Sequence, residues 1–385
     1  MYITDEIRYV GVNDHEIDLF EGQYVVPNGM AYNSYVILDE KTAVMDSVDA
    51  RFGEEWLGKV KEALGGRAAD YLIVQHMEPD HSANIALFMQ TYPQAVVVAT
   101  QKAFAMMKQF FGTDFADRRV IAGEGTTLSL GGRELTFVTA PMVHWPEVMM
   151  TWSAKDRVLF SADAFGKFGA LDAEEDWACE ARRYYFGIIG KFGAAVQTLF
   201  RKVGGLDIGV ICPLHGPVLT QNLGYYLDKY QTWSSYTPED DGVLIACASI
   251  YGHTMEAARL LEEKLRGYGC EKVVLTDLAR SDWAENIEDA FRYSTLVLAA
   301  SSYNGGVFPF MRTFIEHLTE RNYQNRRVAL MENGTWSPTA AKTMAKLLEG
   351  GKNLAFAETT VTVRSALDDA SRAAIDALAR ELCGK

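Results

Sequence analysis

Four metal-binding side chains lie close together in one short segment of the sequence: His76, Glu78, Asp80 and His81. The segment follows the apolar run 70–75, which predicts a buried strand, so we expect the ligands where a strand opens into a loop. On an extended backbone His76 and Glu78 point the same way. Pro79 fixes a bend that can turn Asp80 and His81 toward a second position. Two imidazoles and two carboxylates at this spacing suit two adjacent cations better than one.

Three more residues at predicted strand ends supply the remaining ligands of a two-metal site. His144 and His215 each follow an apolar run and are bracketed by proline or glycine, which predicts rigid loops. Asp163 ends the run 157–163, where an aspartate directly after a buried strand needs a partner. Together with the first segment, these residues make a set that is sufficient for two metals sharing one bridging carboxylate.

The order of these ligands resembles the metallo-β-lactamase fold and, more closely, its flavodiiron branch. In hydrolytic relatives the position of Glu78 is typically histidine and the metal is zinc, whereas a carboxylate adds a hard oxygen that favours iron. Zinc remains open on sequence alone, because every one of these side chains can bind it. The resemblance implies two irons, one held by His76, Glu78 and His144, the other by Asp80, His81 and His215, with Asp163 as the bridge.

The last third of the sequence begins with a strand, a short loop and a helix, an order typical of phosphate binding. Residues 242–248 predict a buried strand, and an amphipathic helix is predicted to run to about Leu265. Loop N–H groups and the helix N-terminus would face the anion. The sequence has no GxxxxGK[ST] and no GxGxxG there, so a monophosphate is favoured over a nucleoside triphosphate or a dinucleotide. The predicted phosphate loop consists of Ser249, Ile250, Tyr251, Gly252, His253 and Thr254.

Two further loops follow apolar strands at 295–300 and 327–331. Doubly wound sheets bind ligands at the carboxyl ends of their strands, so we expect these loops to hold a flat ring between aromatic side chains. Three such loops in one α/β unit predict FMN, and the segment from about Asp241 onward resembles flavodoxin. The predicted ring-binding residues are Ser302, Tyr303, Asn304, Gly305 and Gly306, followed by Asn333, Gly334, Thr335 and Trp336.

The predicted fold class is α/β with two domains, since 385 residues are too many for one core. Residues 1–240 are expected to form a metallo-β-lactamase-like αββα sandwich, and residues 241–385 a flavodoxin-like doubly wound parallel sheet. A hairpin is predicted around Gly131-Gly132, and a helix from Ala83 to Gln90. The aromatic, basic stretch 182–186 is expected either to place a tyrosine, Tyr185, near the metals or to pack simply in the core.

Composition is that of a cytoplasmic enzyme. The five cysteines are scattered, which favours reduced thiols, and the net charge of −14 makes nucleic acid an unexpected partner. No apolar run approaches the roughly 20 residues that span a bilayer, so no membrane association is predicted. The N-terminus lacks the basic and apolar regions of a secretory signal.

A redox metal pair and a flavin in one sequence favour multi-electron reduction over hydrolysis. Flavodiiron proteins reduce O2 to water, NO to N2O, or both, so the resemblance implies an oxidoreductase of this kind. The competing hypothesis is a dinuclear zinc hydrolase of the metallo-β-lactamase type with a flavodoxin-like accessory domain. Glu78 and the flavin loops argue against the hydrolase. An inactive electron carrier or scaffold would be expected to lack some of the seven metal ligands, and all seven are present in the sequence.

Two further expectations concern partners. The sequence carries no nicotinamide fingerprint and no C-x-x-C module, so a separate reduced carrier must supply electrons. By the resemblance this donor is rubredoxin, with a deazaflavin or another flavoprotein as the alternative. The resemblance also implies a head-to-tail homodimer, or a dimer of dimers, in which the FMN of one subunit meets the irons of the next.

Overall fold

The computed structural model describes residues 2–385, which divide into two compact units. The first contains the residues up to Tyr185 together with Phe192–Gln231, and the second contains Phe186–Lys191 and Thr232–Lys385. No helix among the described residues is long and apolar enough to cross a membrane.

The first unit is built from short strands and seven helices, the last of which, α7, continues to Ser234. Its strands are β1 (Ile7–Tyr9), β2 (Val12–Asp14), β3 (Leu19–Phe20), β4 (Tyr24–Val25), β5 (Met30–Tyr32), β6 (Tyr35–Ile37), β7 (Ala43–Met45), β8 (Tyr71–Ile73), β9 (Val96–Thr100), β10 (Arg119–Ala122), β11 (Thr127–Ser129), β12 (Glu134–Thr139), β13 (Met149–Ser153), β14 (Val158–Phe160) and β15 (Val210–Cys212). Its helices are α1 (Gly53–Leu64), α2 (Pro79–Ser82), α3 (Ile85–Thr91), α4 (Gln101–Phe111), α5 (Trp177–Tyr184), α6 (Gly193–Val203) and α7 (Leu223–Ser234).

Two sheets form the centre of this unit. The first has the order β1-β6-β7-β8-β9-β10 and the second the order β11-β12-β13-β14-β15. Both sheets contribute to one apolar core, in which Ile73 of β8 and Phe160 of β14 are fully buried. Helices α1 and α4 contact the first sheet and α6 contacts the second, so the arrangement is the expected αββα sandwich. The predicted hairpin around Gly131-Gly132 is present as β11 and β12.

The ligand segments all leave this sandwich at the ends of strands. His76 follows β8, His144 lies between β12 and β13, Asp163 follows β14 and His215 follows β15. Because β14 and β15 are parallel, their carboxyl ends lie at the same edge of the second sheet. The backbone therefore presents Asp163 and His215 side by side.

The helix predicted from Ala83 to Gln90 is wrong in its bounds. Two helices occupy this region, α2 and α3, and Asp80 and His81 belong to the first of them. Pro79 begins α2 because its fixed φ suits the first helical position. Asn84 separates the two helices, and its amide donates to the carbonyl oxygens of Val48 and Asp49.

The second unit is a doubly wound sheet. Its strands are β16 (Asp240–Ala248), β17 (Val273–Asp277), β18 (Tyr293–Tyr303), β19 (Gly306–Val307), β20 (Gln324–Asn333), β21 (Lys352–Phe356) and β22 (Val361–Val363), and its helices are α8 (His253–Gly267), α9 (Trp283–Arg292), α10 (Pro309–Glu320), α11 (Ala340–Leu347) and α12 (Asp369–Leu382). The parallel strands follow the order β17-β16-β18-β20-β21, and β22 pairs with β20. This is the flavodoxin-like order, with its switch point between β16 and β18.

The loop predicted after residue 300 is a β-hairpin instead. Strand β18 continues to Tyr303 and pairs with β19, so Ser302 faces Val307. Asn304 and Gly305 form the turn, and both have positive φ angles, 49° and 72°. Asn-Gly is the preferred pair for such two-residue turns, because both positions need a left-handed backbone.

Candidate metal centre and ligand pocket

Four donor atoms of the first unit converge on one point. The Nε2 atom of His144 lies 3.2 Å from Nε2 of His76, 3.0 Å from Oε2 of Glu78 and 3.1 Å from Oδ2 of Asp163. Nε2 of His76 lies 3.3 Å from Glu78 and 3.6 Å from Asp163. Donor atoms that bind one ion at about 2.0–2.2 Å stand roughly 3–3.6 Å from one another. The four atoms therefore have the spacing of ligands around a single metal ion.

A second group of donors stands beside the first. The Nε2 atoms of His81 and His215 are 3.0 Å apart, and each lies 3.3 Å from Oδ2 of Asp80. All three side chains are buried, and the ring of His215 is held by a hydrogen bond from Nδ1 to the carbonyl oxygen of Ala31, 2.8 Å away. The pair Asp80 and His81, adjacent in sequence, thus faces a different position from the pair His76 and Glu78.

Asp163 connects the two groups. Its Oδ2 atom faces His76 and His144, and its Oδ1 atom lies 3.4 Å from Nε2 of His81. Asp163 Oδ1 and both carboxylate oxygens of Asp80 are buried and have no hydrogen-bond partner among residues 2–385. Burying unpartnered carboxylate oxygens costs free energy unless a cation compensates. These residues therefore fit a pair of metal ions.

In the absence of metal, protons hold the charges of this cluster in balance. Burial alone would lower the pKa of His144, but its hydrogen bonds to Asp163 and Glu78 raise that pKa to about 9. Burial would raise the pKa of Asp163, but the charge of His76 and the hydrogen bond from His144 hold it well below its usual range. Asp163 is thus charged and the imidazole of His144 is protonated at neutral pH.

A cavity of about 660 Å³ lies at the carboxyl ends of strands β16, β18 and β20 in the second unit. Every predicted phosphate-loop and ring-loop residue lines it except Gly252 and Gly306. Gly252 is instead the N-cap residue that directly precedes α8, with φ +98°, and Gly306 lies in the hairpin. Sequence reasoning missed four lining residues, Ser301, Ser337, Thr339 and Ser365.

The lining of this cavity combines two kinds of chemistry. Beside the N-terminus of α8, the hydroxyls of Thr254 and Ser301 are 2.9 Å apart. The rings of Tyr251 and Trp336 are 93% and 89% exposed, so their faces are available to a planar ligand. Ser302 is already engaged, because its hydroxyl accepts hydrogen bonds from the backbone N–H groups of Thr339 and Ala340. The cavity therefore offers both anion-binding groups and aromatic rings.

Comparison with known proteins agrees with both units. Residues 30–216 match the family model described as "ODP family beta lactamase". A solved structure of rubredoxin oxygen:oxidoreductase from Desulfovibrio gigas superposes with a TM-score of 0.92 at 25% identity, covering 100% of this chain and 98% of that chain. The flavodiiron protein from Giardia intestinalis has the same fold, with a TM-score of 0.90, 24% identity and coverage of 99% and 96%.

A curated relative decides the family. The nitric oxide reductase of Moorella thermoacetica is 30% identical over 373 residues, which span 94% of this chain and 92% of the relative. The chain belongs to the flavodiiron protein family. It is accordingly an oxidoreductase, and the alternative of a zinc hydrolase with an accessory domain is not supported.

Glu147 supports the candidate metal centre of this flavodiiron protein and was missed from sequence. It is 2% exposed, and its Oε1 atom lies 2.8 Å from Nδ1 of His76 and accepts a hydrogen bond from the N–H of Met77. A carboxylate on Nδ1 fixes the tautomer of the imidazole and turns Nε2 toward the metal position. Its place three residues after His144 was the only signal available.

Glu147→Gln is expected to weaken iron binding by about tenfold to a hundredfold, because the neutral amide fixes the His76 ring less well. Iron affinity measured by chelator competition checks this. Glu134→Gln, an exposed position on β12, is the matched control and should leave the affinity unchanged. Equal affinities in the two variants would contradict the positioning role of Glu147.

The tyrosine beside the cluster is Tyr184, the neighbour of the predicted Tyr185. The ring of Tyr184 lies 5.5 Å from the ring of His215, and its hydroxyl is buried without a hydrogen-bond partner among the described residues. Burial, followed by the nearby charge of Asp163, raises its pKa well above the usual value, so the hydroxyl stays protonated. The ring of Tyr185 packs 5.1 Å from that of Tyr230.

Metal uptake by the candidate metal centre is expected to release protons. Metals bind neutral imidazole, whereas the raised pKa of His144, about 9, keeps that ring protonated at neutral pH. The apparent affinity for Fe²⁺ should therefore increase as the pH rises toward this value. Calorimetric titrations in two buffers of different ionisation enthalpy measure the released protons. An affinity that stays constant over this pH range would contradict the expectation.

Proposed function

We propose that this chain reduces O2 to water, NO to N2O, or both, at a non-haem diiron site that receives electrons from FMN. In this proposal residues 1–240 carry the irons and residues 241–385 carry the flavin. The observation that carries the proposal is Asp163, whose two carboxylate oxygens each face one of two adjacent donor groups. The names of relatives support both substrates, since one is a nitric oxide reductase and another a rubredoxin oxygen:oxidoreductase.

The proposed ligand sets follow from the donor spacing. His76, Glu78 and His144 would hold one iron, Asp80, His81 and His215 the other, and Asp163 would bridge them. Three carboxylates among these ligands suit a pair of divalent or trivalent cations, and the hard oxygen of Glu78 favours iron over zinc. The side chain of Glu78 is 13% exposed, which leaves this side of the cluster in contact with solvent for proton supply.

FMN would occupy the cavity of the second unit. The N–H groups at the start of α8 and the hydroxyls of Ser249 and Thr254 would bind its phosphate. The rings of Tyr303 and Trp336 would flank the isoalloxazine. When bound, flavin and iron supply the one-electron chemistry that the protein's own side chains lack.

We also propose a separate electron donor and a homodimeric working unit. The D. gigas relative is named for rubredoxin, and this sequence contains no C-x-x-C pair of its own, so rubredoxin or another reduced carrier would dock from outside. A head-to-tail dimer, or a dimer of such dimers, would bring the FMN of one subunit to the irons of its partner.

Metal analysis with an optical spectrum and gas-consumption assays tests the proposed function. We expect two irons and one FMN per chain, with O2 or NO consumption that depends on a reduced carrier. Removal of iron should abolish consumption and retain the flavin spectrum. Zinc in place of iron together with absent flavin, or undiminished activity in the iron-free protein, would refute the proposal.

Gly252→Ala is expected to weaken FMN binding about tenfold or more. Gly252 has φ +98°, where a side chain adds roughly 1–3 kcal/mol of strain, so the loop must move to relieve it. Gly267→Ala is the matched control, because Gly267 ends the same helix with no positive φ and open space around its Cα. Fluorescence titration of the flavin-free variants measures both affinities. Equal affinities would remove this loop from the proposed phosphate site.

A further inference from the structure

A small apolar cavity lies beside the segment that follows Asp163 in the first unit. Ala164 and Phe165, the two residues that follow Asp163, form part of its wall, and helix α6 contributes Val196 and Leu199. Apart from the Tyr230 hydroxyl, the side chains that line it are apolar. It offers about 10 Å³ to the centre of a water-sized sphere, which is room for one very small molecule.

The wall of this cavity is held rigidly. Phe165 has φ +68°, a conformation that a large side chain rarely adopts without support from its surroundings. The support comes from Tyr230, whose hydroxyl accepts a hydrogen bond of 2.6 Å from the N–H of Phe165 and whose ring lies 4.3 Å from that of Phe165. Because the Tyr230 hydroxyl is engaged in this way, the cavity offers a water molecule few polar partners, and apolar cavities of this kind stay dry.

The cavity continues toward the surface. A groove of about 360 Å³ on the same unit has an apolar part, formed by residues that include Phe200, Val203, Leu206 and Leu227, and a polar part, formed by Asp207, Asp228 and Gln231. Phe200 and Val203 also line the buried cavity, so these two side chains lie between the groove and the cavity. Phe200 is only half-buried, and its ring meets that of Phe165 at a centroid distance of 6.5 Å.

A polar approach also reaches the metal centre. Glu78 is partly accessible to solvent, and the exposed Glu21 is close enough to interact with it electrostatically. Water and protons therefore have a polar approach, while the cavity and the apolar part of the groove form a separate one. An uncharged diatomic gas prefers the apolar approach, because it loses no hydrogen bonds to water there.

We propose that the cavity is a binding site for the diatomic substrate, O2 or NO, and that Phe200 and Val203 form its entrance from the surface groove. The inference rests on the proposed function for the identity of the gas. The cavity has the size of one such molecule, and its wall continues from Asp163 through a single residue, Ala164.

Xenon-pressurised crystals test the binding site without using the reaction. Xenon is apolar and enters dry protein cavities. We expect a xenon atom between Phe165, Val196 and Leu199 in the wild-type protein. Its absence there would overturn the inference.

Val203→Phe tests the entrance, with Ala194→Phe on the exposed face of α6 as the matched control. Val203→Phe should lose the xenon atom and lower kcat/KM for O2 and NO several-fold while kcat at saturating gas stays unchanged. The rate of FMN reduction by the carrier should stay unchanged in both variants. If Val203→Phe fails to fold, Phe200→Trp obstructs the same passage from a half-buried position, and the same result is expected.

Two outcomes separate this inference from the proposed function. An active wild-type protein whose folded Val203→Phe or Phe200→Trp variant keeps the normal kcat/KM would refute the entrance alone. A wild-type protein that consumes neither gas would refute the proposed function and, with it, the gas named here. Phe200→Ala, which widens the entrance, should retain xenon and keep kcat/KM at least as high as the wild type. A fall equal to that of Val203→Phe would show disturbed packing instead of a blocked passage.

Discussion

Asp163→Ala is expected to abolish O2 and NO consumption and to reduce bound iron to well below two per chain, while FMN remains bound. Asp163 is the one residue whose two oxygens face both donor groups, so its loss removes a ligand from each proposed iron at once. It also removes one of the buried counter-charges of His76 and His144, and a buried charge that loses a partner is costly. Iron content, flavin absorbance and gas consumption on the same preparation measure the three effects.

Asp117→Ala is the control for this substitution. Asp117 is an aspartate of the same unit whose side chain is 81% exposed and pairs with Arg118 at the surface. Surface ion pairs contribute little to stability, so this variant should keep iron, flavin and activity. Two irons and normal turnover in the Asp163→Ala protein would show that the bridge, and the ligand sets built on it, are incorrect.

The candidate ligands could be predicted from sequence because their signals are local. Each of His76, Asp163 and His215 stands at the end of an apolar run, and a strand end is where a fold can aim a side chain without burying loop backbone. Glu147 could not be found in this way. Its contact with His76 joins positions 71 residues apart, and its place three residues after His144 does not by itself indicate that contact.

The two neighbouring tyrosines Tyr184 and Tyr185 show that the sequence does not fix which side of a helical segment faces a site. The ring of Tyr184 lies beside His215, whereas the ring of Tyr185 packs against Tyr230. Helix α5 ends at Tyr184 and a π-helix spans Tyr185–Ile189, so regular helical spacing does not extend through this point.

The strand positions in the second unit could be predicted from sequence. The structure of the loops that follow these strands, and the contacts of their side chains, could be predicted only in part. Apolar runs located β16, β18 and β20 correctly, but β18 extends three residues further because the Asn304-Gly305 turn folds it back as a hairpin. That dipeptide was a usable signal. Ser302 was predicted to bind the ring, and it lines the cavity. Its hydroxyl also accepts a hydrogen bond from the backbone N–H of Thr339, 37 residues away, which local patterns do not reveal.

A second prediction with a large expected effect concerns how the proposed FMN and diiron centres come close enough for electron transfer. Electron transfer falls steeply with distance, so the flavin and the irons must come nearly into contact in the working enzyme. In the proposed head-to-tail dimer each such contact joins the second unit of one subunit to the first unit of its partner. Two differently damaged subunits would then complement each other, since one intact pair of centres remains in the mixed dimer.

Mixing a flavin-defective chain, with both Ser249 and Thr254 changed to tryptophan, with a metal-defective His215→Ala chain tests this arrangement. Each homodimer should be inactive, and activity should appear as subunits exchange, up to the level of one active site per mixed dimer. Exchange is followed independently by mass spectrometry of differently labelled chains, so a lack of rescue cannot be ascribed to a lack of mixing. If exchange is complete and no activity appears, or if a stable monomer has full activity, flavin and irons of the same chain must work together. In that case complementation between subunits is excluded, whereas the ligand sets and the FMN cavity remain subject to their own tests.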